Sequence, residues 1–473
     1  MKRSILAMLT AFALLQLACY KDKGNYDYHP LAKPEISNLD TFYNVFLGDT
    51  LVIQPTIKST DPSAKFGYHW RIDIPAEARS IDLTGSPLNF IFSLQPGVYG
   101  VRLTVTDSSN GMKYFQQFKI AGRTQFSVGT LVLSQEGNTS QLSFVKPDST
   151  VLSRIYQALH GSDLPGEPLQ VIDLIKQFIS PVPQLGYWVT FNGSNDGGVH
   201  LNTSTLLEMK TLRKNFFDVP AIAKPGYLET SQDGVLRGVI NGKLYIGSWQ
   251  TYYGSDIYGY FGVPAAGDYE LYKRMAFNGV MPYFLGYDKN RKQFVAFTNF
   301  GSPAYIGTGY QVTNVTAFDP RNVQLDLLHF QQLNDNNCFA FGRSGDGALY
   351  EIQFSAAFKG FIELSPGYKR AFAQPALITP NTKWTGTKKE IFYFTSGDKI
   401  YRYNPLNQEF RPLTTDFGGK EVSMIKLADD ENTLIAGVEG TIYFLDISTG
   451  KTGEILKRYT GIPGTPVDVT VKK

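Results

Sequence analysis

The residues best suited to contact a ligand lie in one glycine-rich, aromatic segment between Ser248 and Tyr272. Exposed aromatic rings can stack on the apolar faces of sugars or hold a peptide, and tyrosine hydroxyls add hydrogen bonds. The segment is longer than an ordinary connection between strands, and long loops in compact domains often carry function. The candidate binding residues are Trp249, Tyr252, Tyr253, Tyr258, Tyr260 and Phe261. The alternative is that these rings pack inside the fold, as most aromatic side chains do.

A second candidate binding segment runs from Phe300 to Tyr310. It is also long and rich in glycine, and its aromatic rings are Tyr305 and Tyr310. We expect these two rings to be the weaker candidates for ligand contact.

Catalytic and metal-binding motifs are absent from the sequence. There is no His-Glu-x-x-His, Gly-x-Ser-x-Gly, P-loop or Cys-x-x-Cys, and the five histidines show no ligand spacing. Asp335–Asn337 and Ser344–Gly347 offer oxygen atoms to a calcium ion but lack the full spacing of a calcium loop. We therefore predict no catalytic residue, no metal site and no bound cofactor.

The N-terminus is typical of a secretory signal peptide over residues 1–18. Lys2 and Arg3 precede an apolar run that is too short to cross a hydrocarbon core of roughly 30 Å. Cys19 follows Ala18 where the apolar run stops, which favours lipidation of its thiol and cleavage just before it. The usual lipoprotein box is not fully matched at Gln16, so an ordinary cleaved signal followed by an incidental cysteine is the alternative.

The remaining composition limits the class of protein. Cys338 is the only other cysteine and lies in an apolar stretch, so we expect a buried thiol and no disulfide. The net charge is +3 with scattered Lys and Arg, so nucleic acid is not an expected partner. The 28 Tyr, 33 Phe, 45 Gly and 25 Pro favour many short strands joined by tight turns.

Residues 34–122 are predicted to form a β-sandwich, after a polar tether over 19–33. Tyr99, Val101, Leu103 and Val105 alternate with polar residues, which is the pattern of a half-buried strand. Trp70 is the expected centre of the sandwich core.

The stretch Pro96–Asp107 resembles the final strands of PKD domains, whose pattern is Pro-Gly-x-Tyr-x-Val-x-Leu-x-Val-x-Asp. Gly48–Thr50 and Trp70 also match that family, whereas Arg71–Ile74 stands where a Gly-Asp-Gly is usual. Cys19–Tyr28 is similar to the start of the PKD-like lipoproteins of Bacteroidetes, Cys-Tyr-x-Asp-Lys-Gly-Asn-Tyr-Asp-Tyr. The resemblance implies an Ig-like fold and a lipid-anchored outer-membrane protein, at the cell surface or the periplasmic face. It also implies association with TonB-dependent nutrient importers of the SusC and SusD type.

Residues 126–473 are predicted to form a seven-bladed β-propeller, so the whole chain is expected to be all-β. Seven turn signals, each flanked by apolar alternation, recur roughly 42 to 57 residues apart. They lie at Gly137-Asn138, Asn195–Gly198, Asn241-Gly242, Asp288–Lys292, Asp346-Gly347, Gly397-Asp398 and Glu439-Gly440. The alternative is a pair of β-sandwiches.

Two features depart from the regular repeat. The segment 153–178 is predicted to be an insertion containing two short helices, over Arg154–His160 and Pro168–Phe178. The last strand, Val467–Val471, is predicted to pair with the first blade and close the ring.

Three functions remain open at the level of sequence. The first is a non-enzymatic lipoprotein that binds a glycan or peptide beside an outer-membrane importer. The second is a propeller glycoside hydrolase or lyase, whose carboxylates would come from different blades and leave no local motif. The third is a structural or assembly subunit of an importer complex.

Overall fold

Thirty-eight β-strands make up nearly all regular structure among the described residues of the computed structural model of the protein. The structure describes residues 33–175, 184–249, 255–277, 283–299, 303–334 and 336–472. Contacts divide the chain after Gly122 into an N-terminal and a C-terminal unit. No helix in these described ranges has the length and apolar content needed to cross a membrane.

The N-terminal unit is a β-sandwich around Trp70. Its main sheet has the order β2-β9-β8-β5-β6, and two strand pairs, β1-β4 and β3-β7, complete it. The strands are β1 (Glu35–Ser37), β2 (Phe42–Phe46), β3 (Thr50–Ile53), β4 (Thr56–Lys58), β5 (Phe66–Ile74), β6 (Arg79–Thr84), β7 (Leu88–Ile91), β8 (Gly97–Asp107) and β9 (Lys113–Arg123). A 3-10 turn over Pro75–Glu77 joins β5 to β6.

Trp70 lies in the core of the sandwich as the sequence predicts. Its side chain is fully buried, and its indole N–H donates to the carbonyl oxygen of Gly85 at 2.8 Å. The predicted alternation in β8 is also confirmed, since Tyr99, Val101, Leu103 and Val105 all face the core. A short hairpin connection joins β8 to β9, in which Thr106 lies opposite Lys113.

The C-terminal unit contains seven sheets, numbered here as blades 1 to 7 in chain order, among its described residues. Blade 1 contains β38 (Thr465–Lys472), β10 (Gly129–Glu136), β11 (Thr139–Val145), β12 (Val151–Leu152) and β13 (Leu164–Pro165). Blade 2 contains β14 (Pro168–Ile175), β15 (Gln184–Phe191), β16 (Gly198–Leu201) and β17 (Glu208–Thr211), and blade 3 contains β18 (Pro225–Thr230), β19 (Leu236–Ile240) and β20 (Lys243–Ile246). Blade 4 contains β21 (Ala276–Phe277), β22 (Tyr283–Asp288), β23 (Gln293–Asn299) and β24 (Pro303–Gly307).

The remaining three blades follow the same antiparallel pattern. Blade 5 contains β26 (Asp326–Gln332), β27 (Asn337–Arg343), β28 (Leu349–Phe358) and β29 (Ile362–Ala371), with β25 (Gln311–Val312) parallel to β29. Blade 6 contains β30 (Trp384–Gly386), β31 (Phe392–Ser396), β32 (Lys399–Asn404) and β33 (Glu409–Pro412). Blade 7 contains β34 (Val422–Leu427), β35 (Thr433–Val438), β36 (Thr441–Asp446) and β37 (Glu454–Thr460).

Apolar clusters join each blade to the next around a closed ring. Each of seven clusters of buried residues draws on two neighbouring blades. The last of these joins blade 7 to blade 1 through Phe444, Val132 and Val469. The abundance of Phe and Tyr follows from this architecture, because large flat side chains fill the gaps between sheets that pack face to face.

The seven predicted turns all connect the second and third strands of a blade. In the Asn241-Gly242 turn both residues have positive φ, 51° and 70°. This is the backbone of a two-residue hairpin turn, which Asn and Gly adopt at little cost. The predicted propeller and its seven hairpins are therefore confirmed.

The C-terminal strand closes the ring as predicted. β38 pairs antiparallel with β10, so that Val469 lies opposite Val132. Blade 1 thus combines an innermost strand from the end of the chain with strands from the start of the propeller.

One sequence prediction of secondary structure is wrong. Ile155–His160 is a helix, α1, but Pro168–Ile175 is the strand β14 and not a helix. Its apolar residues are spaced as on a helix face, yet Val171, Ile172 and Leu174 are buried on both faces of blade 2. Spacing alone cannot separate a fully buried strand from a helix. The predicted helix end, 176–178, lies outside the described residues.

Candidate functional site

The innermost strands of the seven blades surround a central cavity of about 660 Å³. Side chains from β14, β18, β26, β30, β34 and β38 line it, together with the residues just before β21. This volume is in the range of small-molecule sites, roughly 300–1,000 Å³. We refer to this cavity as the central channel.

Charged side chains of both signs line the central channel. The cations are Lys273, Arg274, Lys383 and Lys426, and the carboxylates are Glu421 and Asp468.

On the side of blades 7 and 1 the charges are paired. Lys426 Nζ lies 2.8 Å from Asp468 Oδ1 and also donates to the carbonyl of Val469 at 2.7 Å. The other carboxylate oxygen of Asp468 accepts the backbone N–H of Val171 at 2.9 Å. Burial disfavours the charged form of Lys426, but the charge and hydrogen bond of Asp468, together with Tyr227 and Asp173, outweigh it and the pKa is raised. Lys426 and Asp468 therefore form a fixed ion pair between three neighbouring strands.

On the side of blades 4 to 6 the cations lack such partners. The guanidinium of Arg274 lies over the ring of Tyr227, 3.9 Å from its centroid. Burial, and then the charges of Arg274 and Lys383, lower the pKa of Lys273. Neither Lys273 nor Arg274 nor Lys383 forms an ion pair with another described residue.

Blade 5 contributes an uncharged wall between these cations. His329 is buried, stacks on Trp384 with ring centroids 5.7 Å apart, and contacts the Gln331 amide oxygen at 3.0 Å. Burial, and then the charge of Arg274, hold the pKa of His329 well below its usual value. The ring is therefore neutral at pH 7.

The channel is better equipped for recognition than for acid–base catalysis. Of the two carboxylates among the described lining residues, Asp468 is held by Lys426 and a backbone N–H. Glu421 accepts a hydrogen bond from Asn381 at 3.2 Å. No group of three or more His, Cys, Asp or Glu side chains in the described ranges is arranged to hold a metal ion. Cations, amides and hydroxyls remain to bind a polar ligand.

The predicted aromatic segment lies elsewhere, at the outer edge of blade 3. The backbone of Ser248 pairs with that of Gly259 and Tyr260, beyond β20 and away from the innermost strand β18. None of the described candidate residues Trp249, Tyr258, Tyr260 and Phe261 lines the central channel, whereas Tyr272, at the end of the segment, does. Tyr252 and Tyr253 lie outside the described residues.

The rings of this segment differ in exposure. Trp249 is 47% exposed. Tyr258 is half-buried, and its hydroxyl donates to the carbonyl of Asp233 at 2.5 Å. Tyr260 is also half-buried, with the Lys210 ammonium 4.4 Å from its ring centroid. Phe261 is fully buried against Phe216, so its prediction as a ligand contact is wrong.

The second predicted segment is mostly internal as well. Tyr305 is half-buried and packs on Tyr269, with ring centroids 4.7 Å apart. Tyr310 is 4% exposed, and its hydroxyl donates to the carbonyl of Phe294 at 2.9 Å. The prediction of Tyr310 as a ligand contact is therefore wrong, because aromatic rings gain more by filling the gap between blades than by facing water.

The predictions for the two cysteines differ in outcome. Cys338 is fully buried between blades 4 and 5, and burial raises the pKa of its thiol, so the prediction of an inert core thiol is confirmed. Cys19 lies outside the described residues, and its lipidation stays a prediction.

Sequence reasoning missed the channel residues because each blade contributes only a few of them. Lys273, Lys383 and Lys426 are far apart in the chain and sit in no common motif. The sequence offers one signal for these residues, because in blades 2 to 7 the innermost strand lies on the N-terminal side of the predicted hairpin.

Residues 19–168 match the model of the PKD-like family. No curated protein matches the sequence. Among solved structures, the fold is similar to a quinonprotein alcohol dehydrogenase-like protein from Bacteroides thetaiotaomicron, at 12% identity and a TM-score of 0.44, covering 93% of this chain and 99% of that one. It is also similar to a candidate 6-phosphogluconolactonase from Bacteroides fragilis, at 12% identity and a TM-score of 0.45, covering 73% of this chain and 98% of that one.

Proposed function

We propose that this chain, whose residues 19–168 match the PKD-like family, is a lipoprotein of the cell envelope that binds a small polar ligand in the central channel of its propeller. The ligand is a glycan or a peptide, and the protein acts as an accessory to a TonB-dependent importer of the SusC and SusD type. The anchor is a lipid on Cys19, at the outer membrane.

The central channel is the observation that carries the proposal. All seven blades contribute to it, and its lining combines cations with amide and hydroxyl groups. A few well-placed polar groups in a concave site are what fixes the orientation of a small ligand. The stiff ring of blades holds these groups in place before the ligand arrives, which lowers the entropic cost of binding.

Binding is favoured over hydrolysis by the state of the carboxylates. A glycosidase needs two carboxyl groups on either side of the scissile bond, one of them free to give up a proton. Asp468 is committed to Lys426 and to the backbone N–H of Val171. Among the described lining residues, Glu421 therefore has no second free carboxyl group to act with it.

An assembly role is the second candidate, and a different surface supports it. Three apolar side chains are exposed near the outer edge of blade 3, namely Phe217 at 54%, Trp249 at 47% and Val263 at 88%. Phe217 packs on Tyr260 and its backbone pairs with that of Phe261, so these residues belong to one region. Exposed apolar groups of this kind are typical of protein interfaces. The two roles are compatible, with the channel taking the ligand and this edge contacting the importer.

The anchor can be tested in cells that express the full chain. Wild type is expected to incorporate labelled palmitate and to remain with the membranes after fractionation. Cys19→Ser is expected to lose both properties, whereas Cys338→Ser should keep them. Incorporation of label by Cys19→Ser would contradict the anchor.

The binding site can be tested by blocking the channel. The chain from residue 20 onward keeps every described residue, and Thr385 lines the channel. Thr385→Cys, labelled with a bulky maleimide, is expected to lose binding to any ligand found by glycan and peptide screening. Cys338 is buried and should not react in the folded protein.

The matched control for the block is Arg411→Cys with the same label, since Arg411 is exposed on β33 at the outside of blade 6. Its binding is expected to equal that of wild type. Ligand binding that survives the label at Thr385, or that is lost instead in Trp249→Ala, would overturn the channel as the binding site.

A further inference from the structure

The positive side of the central channel specifies the charge of its ligand. Lys273 and Arg274 come from the segment before β21 in blade 4, and Lys383 from the segment before β30 in blade 6. All three line the same cavity, and none forms an ion pair with a described residue. The fourth cation, Lys426, shows the contrast, because Asp468 neutralises it at 2.8 Å.

The charges of Arg274 and Lys383 act on Lys273. Burial, and then these two charges, lower the pKa of Lys273. Like charges that face one cavity destabilise each other unless a counter-charge is present. An anionic group placed between blades 4 and 6 would relieve this repulsion and form charge-assisted hydrogen bonds.

Protein carboxylates near this side are already engaged. Glu229 on β18 forms an ion pair with Arg237 at 2.7 Å, and Glu421 accepts a hydrogen bond from Asn381. His329 and Gln331 of blade 5 bring no negative charge. Glu229 also lies within electrostatic range of Arg274, so Lys273 and Lys383 are the cations for which an anionic ligand would supply the counter-charge.

The rest of the lining indicates what carries that charge. Amide and hydroxyl side chains line the same cavity, among them Gln170, Asn192, Gln331, Thr385 and Ser423. These groups can donate to and accept from sugar hydroxyls, which offer many hydrogen-bonding groups in a small volume. The cavity of about 660 Å³ suits a short ligand or the end of a longer one.

We infer that the central channel binds an acidic sugar, a short oligosaccharide whose carboxylate or sulfate groups contact Lys273, Arg274 and Lys383. This inference rests on the proposed function and specifies the ligand of that same site.

The test is a calorimetric titration of the chain from residue 20 onward with four probes. Tetragalacturonate supplies carboxylates, and a chondroitin sulfate tetrasaccharide supplies sulfates as well. The methyl ester of tetragalacturonate has the same size without the charge, and tetraglutamate is an acidic peptide. We expect an acidic oligosaccharide to bind, the methyl ester to bind at least tenfold more weakly, and the affinity to fall as salt is added.

Variants then locate the charge recognition. Lys273→Gln and Lys383→Gln are each expected to lower the affinity roughly tenfold, as for the loss of a hydrogen bond between charged groups. Lys399→Gln is the matched control, because Lys399 is exposed on β32 and does not line the channel. Thermal unfolding of Lys399→Gln should match that of wild type. Lys273→Gln and Lys383→Gln should unfold at a temperature no lower than wild type, because neither lysine forms an ion pair with a described residue and each change removes a repelling charge.

Each outcome bears on one of the two claims. Equal binding of tetragalacturonate and its methyl ester would overturn the inference that the ligand is an acidic sugar. So would the absence of binding by either acidic oligosaccharide. Tight binding of tetraglutamate alone would show that the ligand is anionic but is not a sugar. A neutral ligand that the label at Thr385 displaces would keep the proposed function while this inference fails. An acidic sugar that binds despite that label would overturn the channel itself.

Discussion

Glu351 is a buried residue whose contribution to stability no sequence pattern indicates. Its carboxylate has no exposed surface and accepts hydrogen bonds from the hydroxyls of Tyr368 and Tyr403 and from the guanidinium of Arg370. Burial raises its pKa, and the three donors act against that rise. The cluster joins blade 5 to blade 6.

Removing this carboxylate should be costly. Glu351→Ala is expected to destabilise the protein by about 3 kcal/mol, because the partly buried guanidinium of Arg370 and the hydroxyls of Tyr368 and Tyr403 lose this buried acceptor. The matched control is Glu409→Ala, whose partner Arg411 is largely exposed, and its loss should be below about 1 kcal/mol. Urea denaturation at pH 7 measures both, and equal losses would contradict a special role for Glu351.

His200 gives the propeller a predictable acid sensitivity. It is 7% exposed and stacks on Trp188, with ring centroids 4.8 Å apart. Burial, and then the charge of Lys210, lower its pKa from 6.5 to about 4. The unfolded chain therefore takes up a proton at a higher pH than the folded one, so stability is full above pH 6.5 and falls as the pH drops toward 4.

Replacing His200 should remove this part of the pH dependence. Between pH 7 and pH 4, we expect wild type to lose about 3 kcal/mol more stability than His200→Gln does. The free energy of unfolding, measured in urea across that range for both proteins, checks the difference. Parallel curves would show that His200 does not stay neutral in the fold.

Single residues could be predicted from sequence where burial alone decides. Trp70 and Cys338 are in the core, as their apolar surroundings indicate. Phe261 and Tyr310 were expected at a ligand and are core residues instead. A glycine-rich aromatic segment looks the same in sequence whether its rings face solvent or the next blade, because the partner rings come from distant parts of the chain.

At the scale of elements, short-range turn chemistry was the reliable signal. All seven hairpins are where Gly, Asn and Asp predict them. The innermost strands were harder, and β14 was expected as a helix. A strand buried on both faces loses the polar alternation that identifies a strand. The innermost strands also carry the channel residues, which is why the site was missed.

The closing strand β38 offers a direct test of ring closure. Val469 is fully buried between Val132 of blade 1 and Phe444 of blade 7. Val469→Ala should destabilise the propeller by roughly 2 kcal/mol through lost burial and a residual cavity. Val263→Ala is the control, since Val263 is 88% exposed and its truncation should change stability by less than about 0.5 kcal/mol. Equal melting temperatures for the two variants would contradict closure through β38.

At the scale of the whole molecule, regular repetition made the architecture predictable. Seven similar units need one another to bury their faces, and the seven clusters between blades show this packing. The central channel is a property of the assembled ring and of no single unit. The positions of Lys273, Lys383 and Asp468 around it become meaningful only when the blades are placed in a circle.

Hydrogen–deuterium exchange with and without ligand tests the central claim, that this circle of innermost strands binds the ligand. Slower exchange is expected at 272–274, 381–385, 421–426 and 465–468, where four blades face the channel. Exchange at the outer edge of blade 3, in 255–263, is expected to stay unchanged. Protection confined to that edge, with none at the innermost strands, would contradict binding in the channel.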